Sequence, residues 1–273
     1  MTDRFHMRVK SATGDPIQLR DVHPFACESL ARLGSPNDGG YVVPLGAVTA
    51  ADALLSFGLS HDWRFERDFK KHNRTAAVHC YDHTVSALSA FQYSIGQLAR
   101  FFLRYRVDDL RRSFAFLDYP LFFRGDNIHF KQRIWRDRQD DSATIDDAFA
   151  RLPEGSQVFV KMDIEGSEYR VLDDLLRHAS RVVALAVEFH DIDIVPERFN
   201  SLIEKLKRDF YIVHVHGNNL GGLAPFHFPI ALELTFLSKR FFKSVPSPSA
   251  LSYPVPGLDR PNYPRFPDFK LEF

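Results

Sequence analysis

Cysteine is almost missing from this chain of 273 residues: only Cys27 and Cys80 occur, far apart in sequence. That spacing offers neither a disulfide framework nor a Cys-x-x-Cys or Cys/His zinc pattern. No apolar run approaches the ~20 residues of a membrane span. The segment Met1 to Lys10 lacks the apolar core of a secretory signal, so a cytoplasmic location is expected. An excess of one charge is missing as well, with 35 Lys+Arg against 35 Asp+Glu, which disfavours a globally basic nucleic-acid binder. Internal repeats and low-complexity tracts are absent, which excludes solenoids and arrays. What the chain has in quantity is hydrophobic residues (45%) and phenylalanine (26 copies), enough for a full core with thick aromatic packing.

Apolar runs alternate with helical patterns through the middle. Ala53 to Gly58, Ala76 to Asp82, Asn127 to Trp135, Gln157 to Asp163, Val182 to Phe189, Phe210 to Val215 and Ala231 to Leu237 read as strands. Helical spacing appears over 63–72, 85–104, 144–151, 168–178 and 196–208, the last with Pro196 near its start, where a missing N–H costs little. This βαβα rhythm predicts a doubly wound α/β sheet with ligands bound beyond the carboxyl ends of its strands. From Ser244 onward, recurring prolines predict an extended tail on the body, anchored by Tyr253, Tyr263, Phe266, Phe269 and Phe273. Such a tail would cap a sheet edge or make a contact in a homo-oligomer.

The strand ends carry the candidate chemistry. The first run ends at Gly58, where a glycine lets backbone approach a ligand and the following helix offers free N–H groups. No Gly-x-Gly-x-x-Gly follows, which disfavours a Rossmann-type dehydrogenase. The second run ends at Asp82, placed either to hydrogen-bond a ribose diol or to cap the next helix. The fourth ends in Lys161-Met162-Asp163-Ile164-Glu165-Gly166-Ser167-Glu168. Three acids around one glycine need a bound cation, amine or sulfonium, although Glu168 is also placed to complement a helix dipole. The fifth ends in Glu188-Phe189-His190, where alternation puts Glu188 and His190 on one side; His214 and His216 share a side in the same way. Acids and histidines at three strand ends also leave a divalent metal open, with no ligand set assigned.

Ser56-Phe57-Gly58-Leu59, Asp82 and the Lys-x-Asp-x-Glu-Gly-x-Glu segment, with Val187-Glu188-Phe189-His190, His216-Gly217-Asn218-Asn219 and Glu233, resemble the FkbM-type S-adenosylmethionine-dependent methyltransferases. Asp38-Gly39-Gly40-Tyr41 is similar to a segment of one subgroup. The first loop departs from the Gly-x-Gly-x-Gly pattern common in methyltransferases. The resemblance implies a Rossmann-like class I methyltransferase fold: a seven-stranded, mostly parallel sheet with helices on both faces and the last strand antiparallel. It divides the chain into an N-terminal extension (1–32), a methyltransferase domain (33–243) and the tail (244–273).

The resemblance also implies roles. Phe57, Gly58, Leu59 and Ser60, with Phe65 behind them, would wrap the methionine end of the cofactor. Asp82 would take the ribose hydroxyls, Ile134 and Trp135 would border the adenine, and Asp38 to Tyr41 would close over the cofactor. Asp163 would lie near the sulfonium and the acceptor. The implied activity is O-methylation of a sugar, glycan or other small molecule in polysaccharide or natural-product biosynthesis. A hydroxyl acceptor needs a base or a metal at neutral pH. His190, His216, Asp163 and Glu188 are the candidates, with His190 as base and Asp163 or Glu188 orienting it or holding a metal. The acceptor would enter over Phe101 to Arg138, whose arginines and aromatics suit a phosphorylated or nucleotide-linked sugar as well as a plain solvated helix face. The alternative is a catalytically idle binding module on the same fold.

Overall fold

A computed structural model describes residues 6–104 and 115–273. Seven strands build its main sheet: β4 (Ala53–Phe57), β5 (Ala77–Tyr81), β6 (Asn127–Phe130), β9 (Val158–Met162), β10 (Val182–Phe189), β11 (Phe210–Leu223) and β12 (Pro229–Ser238). Smaller two-stranded sheets pair β1 (His6–Val9) with β13 (Asp268–Leu271), β2 (Leu30–Gly34) with β3 (Gly40–Pro44), and β7 (Arg133–Ile134) with β8 (Ser142–Ala143). The order across the main sheet is β11-β12-β10-β9-β4-β5-β6. Neighbours from β6 to β10 run parallel, and β12 runs antiparallel to both β10 and β11. This is the seven-stranded sheet with an antiparallel last strand that the sequence led us to expect.

Both faces of the sheet are covered. Leu55 and Phe57 of β4, with Val158, Val160 and Met162 of β9, join one apolar core, whereas Leu54 and Phe159 join the other. Alternation along a strand sends neighbouring side chains to opposite faces, so a strand covered on both sides must be apolar throughout. All eight residues of β10 are accordingly buried. The first core takes Val171, Leu172 and Leu175 from the helix Glu168–Leu176 and Phe199, Leu202, Ile203 and Leu206 from Pro196–Asp209. The second takes Phe65 and Phe69, one turn apart on the helix Arg64–His72. Fully burying one such side chain stabilises by about 1.5–3 kcal/mol.

Three expectations change in detail. Asn127 to Trp135 is not one strand: it breaks after Phe130, and Arg133–Ile134 pairs locally with β8. β11 runs on past Val215 to Leu223, because β12 pairs with it across that length. The tail does lie on the body, but its anchors are Tyr253 and Phe269 (1% and 3% exposed), whereas Phe266 and Phe273 are 51% and 39% exposed. Phe25 N–H donates to Ile212 O at 2.7 Å, so the N-terminal segment binds the β11 edge.

Candidate functional site

The strand order reverses between β4 and β9, and open α/β sheets bind ligands at such a switch point. A cavity of about 860 Å³ lies there. Its wall includes Gly58, Leu59 and Ser60 after β4, Asp82 to Thr84 after β5, Arg133 to Trp135 near β7, and Asp163 to Glu165 after β9. Asn37, Asp38 and Gly39 from the β2–β3 turn close one side, and Asn262, Tyr263 and Pro264 from the tail close another.

The β4 turn is fixed from two directions. Leu59 and Ser60 N–H groups donate to Asp82 Oδ2 at 2.9 and 2.8 Å, and Thr84 N–H and Oγ1 donate to Oδ1 at 2.7 and 2.6 Å. Burial pushes the Asp82 carboxyl up, but these four bonds outweigh it and hold it below the usual carboxylate range. Asp82 is thus a tie between two strand-end loops, and it caps Thr84 rather than the first turn of the helix Ala87–Arg104. Lys161, 6% exposed, donates from Nζ to Gly58 O. Its burial lowers its pKa, but the charges of Asp163, Glu66 and Glu188 outweigh that and raise it, so the ammonium is retained.

An acidic ring surrounds the end of β10. His190 Nδ1 lies 3.2 Å from Glu168 Oε1, and Nε2 lies 3.6 Å from Glu165, 3.7 Å from Glu188 and 3.8 Å from Asp163. Burial lowers its pKa, yet the bond to Glu168 and the charges of Glu188, Glu168 and Asp163 outweigh it, and His190 is pushed up to about 10. The acids therefore hold the imidazole towards its charged form, and a base at this position would first have to release that proton. Tyr41 Oη sits 2.9 Å from Asp163 Oδ2 and 3.2 Å from Glu188 Oε2. It has one hydrogen to give, so it donates to one of these two carboxylates at a time. Burial, with the charges of Asp163 and Glu233, pushes Glu188 up. Asn218 Nδ2 also donates to Glu188 Oε1 at 2.6 Å.

His216 is placed differently from the expectation of a catalytic group. Its ring nitrogens lie 3.2 Å from Glu233 Oε2 and 3.2 Å from Asp268 Oδ1, its side chain is fully enclosed, and it does not line the cavity. It welds β11, β12 and β13 together. Of the other sequence candidates, Asp38, Gly39, Gly58, Leu59, Ser60, Phe65, Asp82, Ile134, Trp135 and Asp163 line the cavity. Gly40, Tyr41, Phe57, Glu188 and His190 do not line it but stand behind it. Gly40 is a packing position, where a Cβ would meet Ser35 O at 2.0 Å. From the expected acceptor segment, Arg133 reaches the cavity, Arg138 pairs with Asp147, and Arg106, Arg111 and Arg112 lie outside the described residues. The sequence did not place Asn37, Asn262, Tyr263 or Pro264 in the site, and singled out Tyr263 only as a tail anchor. No motif marks them, and more than 200 positions separate the two ends of that wall.

Strand order, switch-point cavity and antiparallel β12 together define a Rossmann-like class I methyltransferase fold. No family model matches the sequence, and no curated protein matches it. Among solved structures the chain is similar to the fibrillarin pre-rRNA processing protein of Methanococcus jannaschii, with 11% identity, 70% of this chain and 68% of that one covered, and a TM-score of 0.38. It is also similar to precorrin-6y C5,15-methyltransferase of Geobacter metallireducens, with 11% identity, coverage of 71% and 86%, and a TM-score of 0.34. A third is the plantazolicin methyltransferase BpumL in complex with SAH, with 7% identity, coverage of 71% and 82%, and a TM-score of 0.29. No helix among the described residues is long and apolar enough to cross a membrane.

Proposed function

We propose that this chain is an S-adenosylmethionine-dependent methyltransferase, acting on a hydroxyl of a sugar, glycan or other small molecule in the cytoplasm. The observation that carries this is the charge of the switch-point cavity: Asp38, Asp163 and Glu165 line it near the glycine turn. A cofactor with an ammonium and a sulfonium complements these carboxylates, which outnumber Lys161 and Arg133 along the wall. Within this class, the Lys161-to-Glu168 segment supports the FkbM-type assignment, with polysaccharide or natural-product biosynthesis as its setting.

Methyl transfer is an in-line displacement, and the protein's part is alignment and proton removal. The Gly58–Ser60 turn, pinned by Asp82, would hold the methionine end. Trp135, with the guanidinium carbons of Arg133 and Arg170 about 5 Å from its ring centroid, would offer a fixed flat surface for the adenine. Asp163, one of the carboxylates lining the cavity, would receive the acceptor's proton, while charged His190 steadies the acids around it. Asp163, Glu165 and His190 also bring ligand atoms within 4.8 Å of one another, and His190 would have to give up a ring proton to hold a metal there. That spacing suits a hard divalent cation, which when bound would take up charge on the acceptor oxygen. One observation favours the idle module instead: neither His190 nor His216 is a neutral imidazole facing the cavity.

Calorimetry with S-adenosylmethionine and S-adenosylhomocysteine tests cofactor binding. Labelled cofactor incubated with pooled metabolites and glycans, followed by mass spectrometry, then reads transfer. Binding of neither compound ends the methyltransferase reading, and binding without transfer to any component favours the module.

A further inference from the structure

The proline-rich tail has no role in the mechanism above, yet it enters the pocket. Asn219, 3% exposed, grips it: Oδ1 accepts from Tyr263 N–H at 2.8 Å, and Nδ2 lies within 3.2 Å of the carbonyls of Tyr263, Phe266 and Pro267. Asn37 Nδ2 donates to Pro261 O at 2.9 Å. The tail's Asn262, 4% exposed, then stands between two carboxylates, donating from Nδ2 to Glu233 Oε1 at 2.7 Å and to Asp38 Oδ1 at 3.2 Å. Glu233 is held in turn by His216, and His216 by Asp268. A buried relay therefore runs Asp268, His216, Glu233, Asn262, Asp38, beginning and turning back in the tail and ending at the cavity wall.

We propose that Asn262 is the positioning residue that presents Asp38 to a cationic group of the bound cofactor. This rests on the methyltransferase reading. An amide NH₂ is the right group for the place: it donates to both carboxylates and adds no charge. A residue without donors would take this shared partner from both Glu233 Oε1 and Asp38 Oδ1. The groups that face Asp38 are Asp163, Glu165 and Glu233, which favour its protonation, and Lys161, which opposes it. Burial raises the Asp38 pKa, and the Asn262 bond lowers it. Loss of the bond therefore raises the Asp38 pKa further and weakens its carboxylate as a partner for a cation.

The test is calorimetry with S-adenosylhomocysteine and S-adenosylmethionine on the full chain, in wild type, Asn262→Leu, Asp38→Asn and the double variant. Near pH 7 each single variant loses at least about tenfold in affinity, and the double loses no more than Asp38→Asn alone, because the two act as one unit. As pH rises the Asn262→Leu loss shrinks, because Asp38 is then more fully ionised, while the Asp38→Asn loss stays constant. Equal losses for both compounds place the ammonium at Asp38, and a loss confined to S-adenosylmethionine places the sulfonium there. Asn262→Ser, with a single donor, falls between wild type and Asn262→Leu and serves if the leucine variant does not fold. An Asn262→Leu affinity within about twofold of wild type, or single losses that multiply in the double variant, overturns the proposal. Wild type that binds neither compound removes the cofactor reading itself and this inference with it.

Discussion

The backbone carbonyl of Asp163 occupies the space where Gly58 would carry a Cβ, with 1.6 Å between them. Gly58 also has φ +80. The ends of β4 and β9 can come this close only because position 58 has no side chain. The backbone contact that joins them (Asp163 N–H to Phe57 O, 2.9 Å) brings the turn up to the acids. Gly58→Ala combines a left-handed alanine with a backbone clash, so it should cost about 3 kcal/mol or more. Urea unfolding would read this as a lower midpoint at unchanged slope, together with loss of S-adenosylhomocysteine binding.

Asp82→Asn keeps the side chain's shape but sets an NH₂ against donors at one end of its four-bond tie. A loss of about 2–3 kcal/mol is expected, with a measurably weaker affinity for S-adenosylhomocysteine. The sign with pH is also fixed. The folded carboxyl titrates below its ordinary value, so its contribution is complete above about pH 4 and disappears as pH falls through the folded pKa. Acid unfolding of wild type should therefore be steeper than that of Asp82→Asn.

His190 runs the other way. Its folded pKa, about 10, exceeds the ordinary 6.5, so its stabilisation is complete below pH 6.5 and is lost as pH rises towards 10. His190→Gln should lower stability by on the order of 1–4 kcal/mol at pH 6 and by much less at pH 10. Imidazole chemical shifts followed by NMR over this range would give the titration directly, and a midpoint near 6.5 would remove the acidic-ring account.

Lys161 is the buried counter-charge to Glu66 and Asp163, with Asp163 Oδ2 3.8 Å from its Nζ. Lys161→Met removes the cation and leaves carboxylates unpaired, a cost of about 3–5 kcal/mol. Adding Glu66→Gln should restore part of the lost thermal midpoint, since Glu66 is buried and hydrogen-bonded only through Ser56 Oγ to one of its oxygens. Failure of the second substitution to rescue would mean that Lys161 acts through packing.

The strands, their order of appearance and the acid-rich turns were legible in the chain because each depends on local pattern. β10 was read with the bounds it has, since a strand buried on both faces is a continuous apolar run. The break after Phe130 was not legible, because alternation carries on through Arg133 and Ile134 although hydrogen bonding there passes to β8. The histidines were legible as chemistry, but their surroundings were not. Spacing shows that His214 and His216 share a side, but it does not show that this side faces Asp259 and Asp268 rather than the pocket.

The sequence by itself determined a doubly wound sheet with carboxylates and a glycine at its strand ends, because hydrophobic period and turn residues act within a few positions of one another. Only the tertiary structure decided which groups are charged and which reach the cavity. Protonation of His190 depends on Asp163, Glu168 and Glu188, drawn from two segments, and the wall at Asn262 depends on a tail whose anchors lie on other strands. Burial and long-range pairing set those energies, and neither is written in local order.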